Sequence, residues 1–207
     1  NVPTSHVLQN LDVETLYEAP LAMEKEHLAD VVCDCLQLDC PEPDIAEWQD
    51  MVHNIKTLEK EVTVALVGKY TSLHDAYISV VEALKHGGFS HKSNVNIKWV
   101  PSEDLNESNV DETLGDVSGI LVPGGFGDRG IDGKILAIRY AREHNIPFLG
   151  LCLGMQLAIV EFARHVVGYS DANSAEINPQ TNHPVIDLMP DQNGVTDIGG
   201  TLRLGSY

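Results

Sequence analysis

The stretch IPFLGLCLGMQLAIVEFARHV, residues 146–166, reads as a short apolar strand, a tight turn and a helix. The β-branched and aromatic residues at its start predict the strand, and apolar residues at helical spacing near its end predict the helix. Cys152 stands between Gly150 and Gly154, where the strand gives way to the helix. This order predicts a nucleophile elbow, a turn that pushes the central side chain out of the sheet edge.

The same alternation of strands and helices begins at residue 61. The predicted strands are VTVALVG (62–68), VNIKWV (95–100) and GILV (119–122), and the predicted helices are DAYISVVEALKHGG (75–88) and GKILAIRYAREHN (133–145). In the first helix, Asp75 is the predicted N-cap and Gly87 the predicted C-terminal stop. Because alternating elements form βαβ units, the sequence predicts an α/β fold with a mainly parallel sheet flanked by helices.

The first 60 residues lack this regular alternation. An amphipathic helix is predicted at LADVVCDCLQL (28–38), and PEPD (41–44) then interrupts the chain because proline cannot continue a helix. The following sequence, IAEWQDMVHNIKTLEKE, has apolar residues close to helical spacing and predicts a linking helix. We expect three parts, namely residues 1–40, a linker at 41–60 and a main domain at 61–207.

The composition is that of an acidic globular protein. The 207 residues are 43% hydrophobic, and 13 Lys and Arg against 31 Asp and Glu give a formal net charge of -18. This charge argues against nucleic acid or an anionic membrane surface as a partner. No apolar run has the length of a membrane-spanning helix, and the first residues lack the pattern of a signal peptide.

Three of the four cysteines lie close together in CDCLQLDC, residues 33–40. Their C-x-C-x4-C spacing does not match the paired knuckles of common structural zinc sites. We therefore expect Cys33, Cys35 and Cys40 to be thiols of a reduced, cytoplasmic protein, and we predict no metal site. The sequence does not indicate a role for these three thiols.

A second glycine-rich segment, PGGFGDRG (123–130), directly follows the predicted strand 119–122. Backbone without side chains approaches a ligand closely and offers N–H donors, and parallel strands would bring this loop beside Cys152. Two such loops at neighbouring strand ends predict an oxyanion hole for acyl transfer. The alternatives are a glycine-rich loop without a ligand and a phosphate cradle, although the GxxxxGK[ST] and GxGxxG patterns of phosphate loops are absent.

The pattern GxCxGxQ (150–156) after one strand and PGGFG (123–127) after the preceding one resembles the class I glutamine amidotransferases. Flanking segments extend the resemblance to the bacterial CTP synthase family over essentially the whole chain; they are NLDVETLYEAPL (10–21), EWQDMV (47–52), VTVALVGKYTSLHDAYISVVEALKHGG (62–88) and GGTLRLG (199–205). The resemblance implies a flavodoxin-like three-layer fold. It also implies the tail of a synthetase domain at 1–40 and a glutaminase domain, incomplete at its C-terminus, at 61–207.

In that family, a ligase of pyrimidine nucleotide biosynthesis, glutamine is hydrolysed through a cysteinyl thioester. The ammonia converts UTP to CTP at the expense of ATP in a cytoplasmic homotetramer. The resemblance implies that Cys152 is the nucleophile and that the N–H groups of Gly124 and Leu153 bind the oxyanion. The implied contacts to glutamine are Gly125, Phe126, Leu153, Gly154, Met155, Gln156 and Glu176.

The resemblance implies no cofactor bound by this segment, because ATP and Mg²⁺ act in the synthetase domain. GTP is the allosteric activator of the family, and Arg129 and Arg203 are the implied residues of that response. The family's His and Glu that complete the catalytic triad lie in a later H-P-E motif, which the sequence does not reach before Tyr207. In the similar NHPVI (182–186), valine takes the place of the orienting carboxylate.

Two alternatives to a glutaminase remain open from the sequence. One is a cysteine hydrolase similar to the DJ-1/PfpI group, which keeps the elbow but places its base elsewhere. The other is a non-catalytic fragment that serves assembly.

Overall fold

The computed structural model of the chain describes residues 2–188. These residues divide into two compact units, residues 2–60 with 86–94 and residues 61–85 with 95–188. The first unit contains helices α1 (Ala19–Lys25), α2 (Leu28–Leu36) and α3 (Ala46–Lys56). The helices predicted within residues 28–38 and after PEPD are therefore both present.

Polar contacts connect α3 of the first unit to residues that precede α1. The indole Nε1 of Trp48 donates to the carbonyl oxygen of Tyr17 at 2.7 Å, and the Tyr17 hydroxyl lies 2.7 Å from Nε2 of His86. The Lys56 ammonium pairs with the carboxylates of Glu14 and Glu18 at 3.1 and 2.8 Å. These contacts join α3 to the segment that precedes α1.

The second unit is built on a four-stranded sheet in the order β2–β1–β3–β4. Its strands are β1 (Lys60–Gly68), β2 (Ser93–Pro101), β3 (Gly119–Val122) and β4 (Phe148–Gly150). The pairs β1/β3 and β3/β4 are parallel, with Ala65 opposite Ile120 and Val122 opposite Gly150. The helices are α4 (Ile78–Ser90), of which residues 86–90 belong to the first unit, α5 (Val110–Leu114), α6 (Ile131–Glu143) and α7 (Leu153–Phe162). A small parallel pair, β5 (Asn173–Ser174) and β6 (Pro184–Ile186), follows α7.

Alternate residues of the central strands β1 and β3 face opposite layers of helices. Val67 and Val122 are buried in a cluster with residues of α5, α6 and α7. Leu66 and Leu121 face the other side, where Tyr77 and residues of α4 cover them. Burial on both faces explains why these strands read as continuous apolar runs. The structure confirms the predicted mainly parallel sheet with helices on both faces.

Helix α4 differs from its predicted limits. A 3₁₀ turn at His74–Tyr77 leads into the helix, so Asp75 is not its N-cap. The helix also continues through Gly87 to Ser90, and the left-handed residue Lys92 (φ 53°) lies in the turn beyond it. Gly87 has no tertiary neighbour that requires a glycine, so its presence did not decide where the helix ends.

Candidate active site

The turn between β4 and α7 places Cys152 at the edge of the sheet. Its φ of 51° and ψ of -108° lie in a region that residues with a side chain rarely adopt. The N–H of Gly154 donates to Leu151 O at 2.9 Å and the N–H of Gln156 to Cys152 O at 3.1 Å, which closes the turn. The cysteine is exposed, and α7 begins directly after it.

The two glycines that flank the cysteine are required by close backbone contacts. A Cβ on Gly150 would lie 2.6 Å from the carbonyl carbon of Gly154 and from the nitrogen of Met155. A Cβ on Gly154 would lie 2.0 Å from the carbonyl oxygen of Val122 in β3. The spacing GxCxG therefore lets α7 pack directly on the strand ends, and it fixes the position of Cys152.

The glycine-rich loop that follows β3 lies against the cysteine. A Cβ on Gly124 would stand 3.3 Å from Cβ and 3.8 Å from Sγ of Cys152, so only a residue without a side chain leaves this approach open. The Lys69 ammonium donates to the carbonyl oxygen of Phe126 and, at 3.2 Å, to that of Gly127. Lys69 thus holds the loop at Phe126 and Gly127, while Gly124 lies against the Cys152 side chain.

A cavity of about 840 Å³ opens in front of Cys152. Besides Cys152, five residues predicted for the site line it, namely Gly125, Phe126, Leu153, Gln156 and Glu176. Gly127, Asp128, Ile177 and Leu188 also line it and were missed from the sequence, because the resemblance assigned no role to them, although Gly127 and Asp128 lie in PGGFGDRG. The structure thus brings Glu176, a distant residue in the sequence, to the same cavity as the elbow.

Of the other predicted site residues, Gly124, Gly154, Met155 and Arg129 lie within residues 2–188 and are not among those that line this cavity. Gly154 packs on Val122, and the Met155 side chain is exposed. Arg129 forms an ion pair with Glu103 at 3.2 Å. Arg203 lies outside the described residues.

A family model described as glutamine amidotransferase class-I matches residues 72–205, almost two thirds of the chain. The chain belongs to the class I glutamine amidotransferase family. Over all 207 residues it is 60% identical to the CTP synthase of Clostridium beijerinckii, of which it covers 39%. It is 59% identical over 201 residues to the CTP synthase of Halalkalibacterium halodurans, covering 97% of this chain and 38% of that protein.

A solved structure gives the same result for the fold of this class I amidotransferase. The glutaminase domain of Trypanosoma brucei CTPS with bound acivicin has 44% sequence identity and a TM-score of 0.59, with coverage of 63% of this chain and 51% of that one. The resemblance inferred from the sequence is confirmed, and the DJ-1/PfpI alternative is not favoured. The amidotransferase chain spans about 39% of the length of the curated relatives it matches.

In the amidotransferase, the carboxylate of Asp171 contacts His183, although Val185 stands after Pro184 as NHPVI shows. Oδ1 of Asp171 lies 2.5 Å from Nδ1 of His183, although the two residues are twelve positions apart. The contact with His183, together with the N–H of Asn182, lowers the pKa of Asp171 to about 2. His183 does not line the cavity that contains Cys152, so the pair is a separate feature of the fold.

Within residues 2–188, no three His, Cys, Asp or Glu side chains are grouped so that they could hold a metal ion. Cys33, Cys35 and Cys40 are free, and the hydrogen bond with Cys40 is the main cause that raises the pKa of Cys33. In the same part of the chain, no helix combines the length and the apolar character needed to cross a membrane.

Lys134 of α6 is a buried cation behind the glycine-rich loop of the amidotransferase. Its side chain is fully buried, and its Nζ has no hydrogen-bond partner among residues 2–188. The ammonium lies 3.6 Å from the position that a Cβ of Gly125 would take. Burial, with a smaller contribution from the Lys69 ammonium, lowers the pKa of Lys134 from 10.5 to about 8. The shift corresponds to a cost of about 3 kcal/mol for keeping this lysine protonated at neutral pH.

We expect Lys134→Met to stabilise the fold at pH 7 by about 1–3 kcal/mol, because an apolar side chain of similar size removes the unpaired charge. The folded chain binds this proton more weakly than the unfolded chain, so protonation disfavours folding. The free energy of unfolding of the original chain should therefore rise relative to the variant between about pH 8 and 10.5. Urea unfolding of both chains at pH 7 and pH 10 measures this difference. A variant that is less stable at pH 7 would contradict the prediction.

Proposed function

We propose that this chain supplies the glutaminase activity of a CTP synthase. The observation that carries the proposal is the cavity in front of Cys152, which also contains Gln156 and Glu176, in a chain of the class I amidotransferase family. An exposed thiol on a strained turn is positioned to attack a substrate without moving the backbone.

The proposed reaction begins with attack of the Cys152 sulfur on the carboxamide carbon of L-glutamine. A C–S bond forms, the C–N bond breaks, and ammonia leaves with the proton lost by the thiol. Water then cleaves the thioester, releases glutamate and restores the thiol. The histidine of the family's H-P-E motif, which is not among these 207 residues, is the expected carrier of the proton.

Each step of this reaction places negative charge on the former carboxamide oxygen. The proposed donors to this oxygen are the N–H groups of Gly124 and Leu153. Gly124 lies against the Cys152 side chain, and Leu153 is the first residue of α7, so no earlier helical turn occupies its N–H. One such donor is typically worth about 10²–10³-fold in rate.

Recognition of glutamine is proposed to use both sides of the cavity. The Glu176 carboxylate would bind the substrate's α-ammonium group, and Gln156 and the backbone of Gly125 would bind its polar atoms. Phe126 is 71% exposed and lies at the cavity wall, where an apolar ring would cover the bound substrate. Contacts to glutamine from the backbone of Gly154 and Met155 remain predictions.

For the whole protein we propose that ammonia passes to a synthetase domain that converts UTP to CTP with ATP and Mg²⁺. Residues 1–40 would be the tail of that domain and residues 41–60 the linker. The names of the relatives support this proposal, because the bacterial proteins matched over the chain are CTP synthases. A cytoplasmic homotetramer and activation by GTP through Arg129 and Arg203 are further proposals, which rest on the family resemblance alone.

The test is labelling of the full-length gene product with the glutamine analogue 6-diazo-5-oxo-L-norleucine. We expect one adduct, located at Cys152 by peptide mass spectrometry, and we expect excess glutamine to prevent it. The exposed thiol Cys35 is the internal control, because it lies outside the cavity and should stay unlabelled. A folded protein without an adduct at Cys152, or one labelled equally at Cys35, would refute the proposal.

A further inference from the structure

The segment 169–186 forms a closed strap beside the cavity. The segment follows the turn after α7, contains β5 and Glu176, and ends with β6, which pairs in parallel with β5. The Arg164 Nε donates to the carbonyl oxygen of Ala172 at 2.6 Å, which ties the start of the strap to the turn after α7. Glu176 is therefore placed by a folded strap and not by a free loop.

The two arms of the strap are joined by a clasp of Asp171, Asn182 and His183. Oδ2 of Asp171 accepts from the backbone N–H of Asn182 at 2.9 Å and from its side-chain Nδ2 at 3.0 Å. Oδ1 of Asp171 lies 2.5 Å from Nδ1 of His183, and the carbonyl oxygen of Asp171 accepts from the hydroxyl of Thr181 at 2.6 Å. Both carboxylate oxygens are thus used within the clasp.

The clasp is reinforced by stacking of aromatic rings. The imidazole of His183 lies on the ring of Tyr169, with ring centroids 4.3 Å apart and planes 10° apart. A ring held on one face by stacking and at Nδ1 by a carboxylate has a fixed orientation. Neither Asp171 nor His183 lines the cavity, so the clasp does not itself contact a bound substrate.

The backbone connects the clasp to Glu176 through buried residues. Ala172 and Ser174 are almost fully buried, and Oγ of Ser174 accepts from the N–H of Glu176 at 3.3 Å. The N–H of Ala175 donates to the carbonyl oxygen of Ile186, in the arm that contains β6, at 2.8 Å. Opening the clasp would release both arms and allow Glu176 to move relative to Cys152.

We propose that Asp171 is a positioning residue for the substrate: the clasp holds Glu176 at the distance from Cys152 that glutamine requires. The inference rests on the proposed function, because it needs Glu176 to bind glutamine. Asp171 acts through Glu176, and its loss affects the binding of glutamine more than the chemistry at the thiol.

Kinetics of the full-length gene product test this role. We expect Asp171→Ala to raise the KM for glutamine about 10-fold with a smaller change in kcat. Asp171→Asn keeps an oxygen that accepts from Asn182 and should restore KM to within about threefold of the original value. Gln180→Ala, an exposed residue of the strap outside the clasp, is the matched control and should leave KM unchanged. If Asp171→Ala does not fold, as judged by its thermal unfolding curve, His183→Ala opens the clasp from the other arm with the same expected effect.

The same substitution in a protein that already carries Glu176→Ala distinguishes a positioning role of Asp171 from general damage to the fold. When Glu176 is already alanine, Asp171→Ala should change KM by less than about twofold, because the side chain that the clasp positions is absent. An equal increase of KM in both backgrounds, or no increase in either, would overturn the inference. A Glu176→Ala protein that keeps the original KM would instead refute the proposed role of Glu176, and the inference with it. The two failures are therefore distinguishable.

Discussion

Replacement of Cys152 by alanine is expected to abolish glutamine-dependent CTP formation by the full-length gene product while ammonia-dependent formation continues. Removing a covalent nucleophile typically costs about 10⁴-fold or more in rate, since the rest of the site cannot form the thioester. The unusual backbone angles at Cys152 are tolerated equally by alanine, so the substitution removes the sulfur and leaves the elbow. Parallel assays with glutamine and with ammonium chloride measure the two activities.

The two assays distinguish loss of the nucleophile from loss of the fold. Because external ammonia replaces the product of the glutaminase reaction, an unfolded or misassembled protein would lose both activities. Cys35→Ala is the matched control, since it removes another exposed thiol away from the cavity and should keep both activities. Glutamine-dependent activity that survives in Cys152→Ala would exclude this residue as the nucleophile.

The sheet was predictable because its central strands are buried on both faces. Such strands read as unbroken apolar runs, and the PGGFG loop directly follows one of them, β3, so local sequence was sufficient there. The elbow follows the edge strand β4, and its GxCxG spacing identified it. The end of α4 was not predictable in the same way. Gly87 reads as a stop signal, but nothing in the surroundings forces the chain to turn there, and the helix continues to Ser90.

Parts of the site depend on contacts that local patterns do not record. Glu176 is one acid among 31 Asp and Glu residues, and only the family resemblance singled it out. Asp171 orients His183 from twelve residues away in the sequence, whereas the family's H-P-E pattern places a carboxylate directly after His-Pro. Lys134 did leave a signal, because it stands three residues after Ile131 and four before Ile138, both of which are buried in α6. A lysine at such a position lies on the buried face of the helix, so its charge is buried with it.

Gly154→Ala is expected to destabilise the fold strongly, because the added methyl group would lie 2.0 Å from Val122 O and 2.9 Å from Val122 C. The obstacle is the backbone of a buried strand, so α7 must move away from β3. We expect a loss of about 3–5 kcal/mol in the free energy of unfolding, a large part of the total for a domain. Because α7 begins directly after the cysteine, any molecules that remain folded should also lose reactivity at Cys152.

The control for this prediction is Gly87→Ala, a glycine-to-alanine change inside α4. No atom lies within 4 Å of the methyl group that it adds, so only the backbone preference changes. Alanine in a helix interior is favoured over glycine by about 0.5–1 kcal/mol, and this variant should be slightly more stable than the original. Urea unfolding of the three chains under one condition compares them directly. Equal stabilities for Gly154→Ala and Gly87→Ala would mean that the close contact between α7 and β3 does not define the elbow.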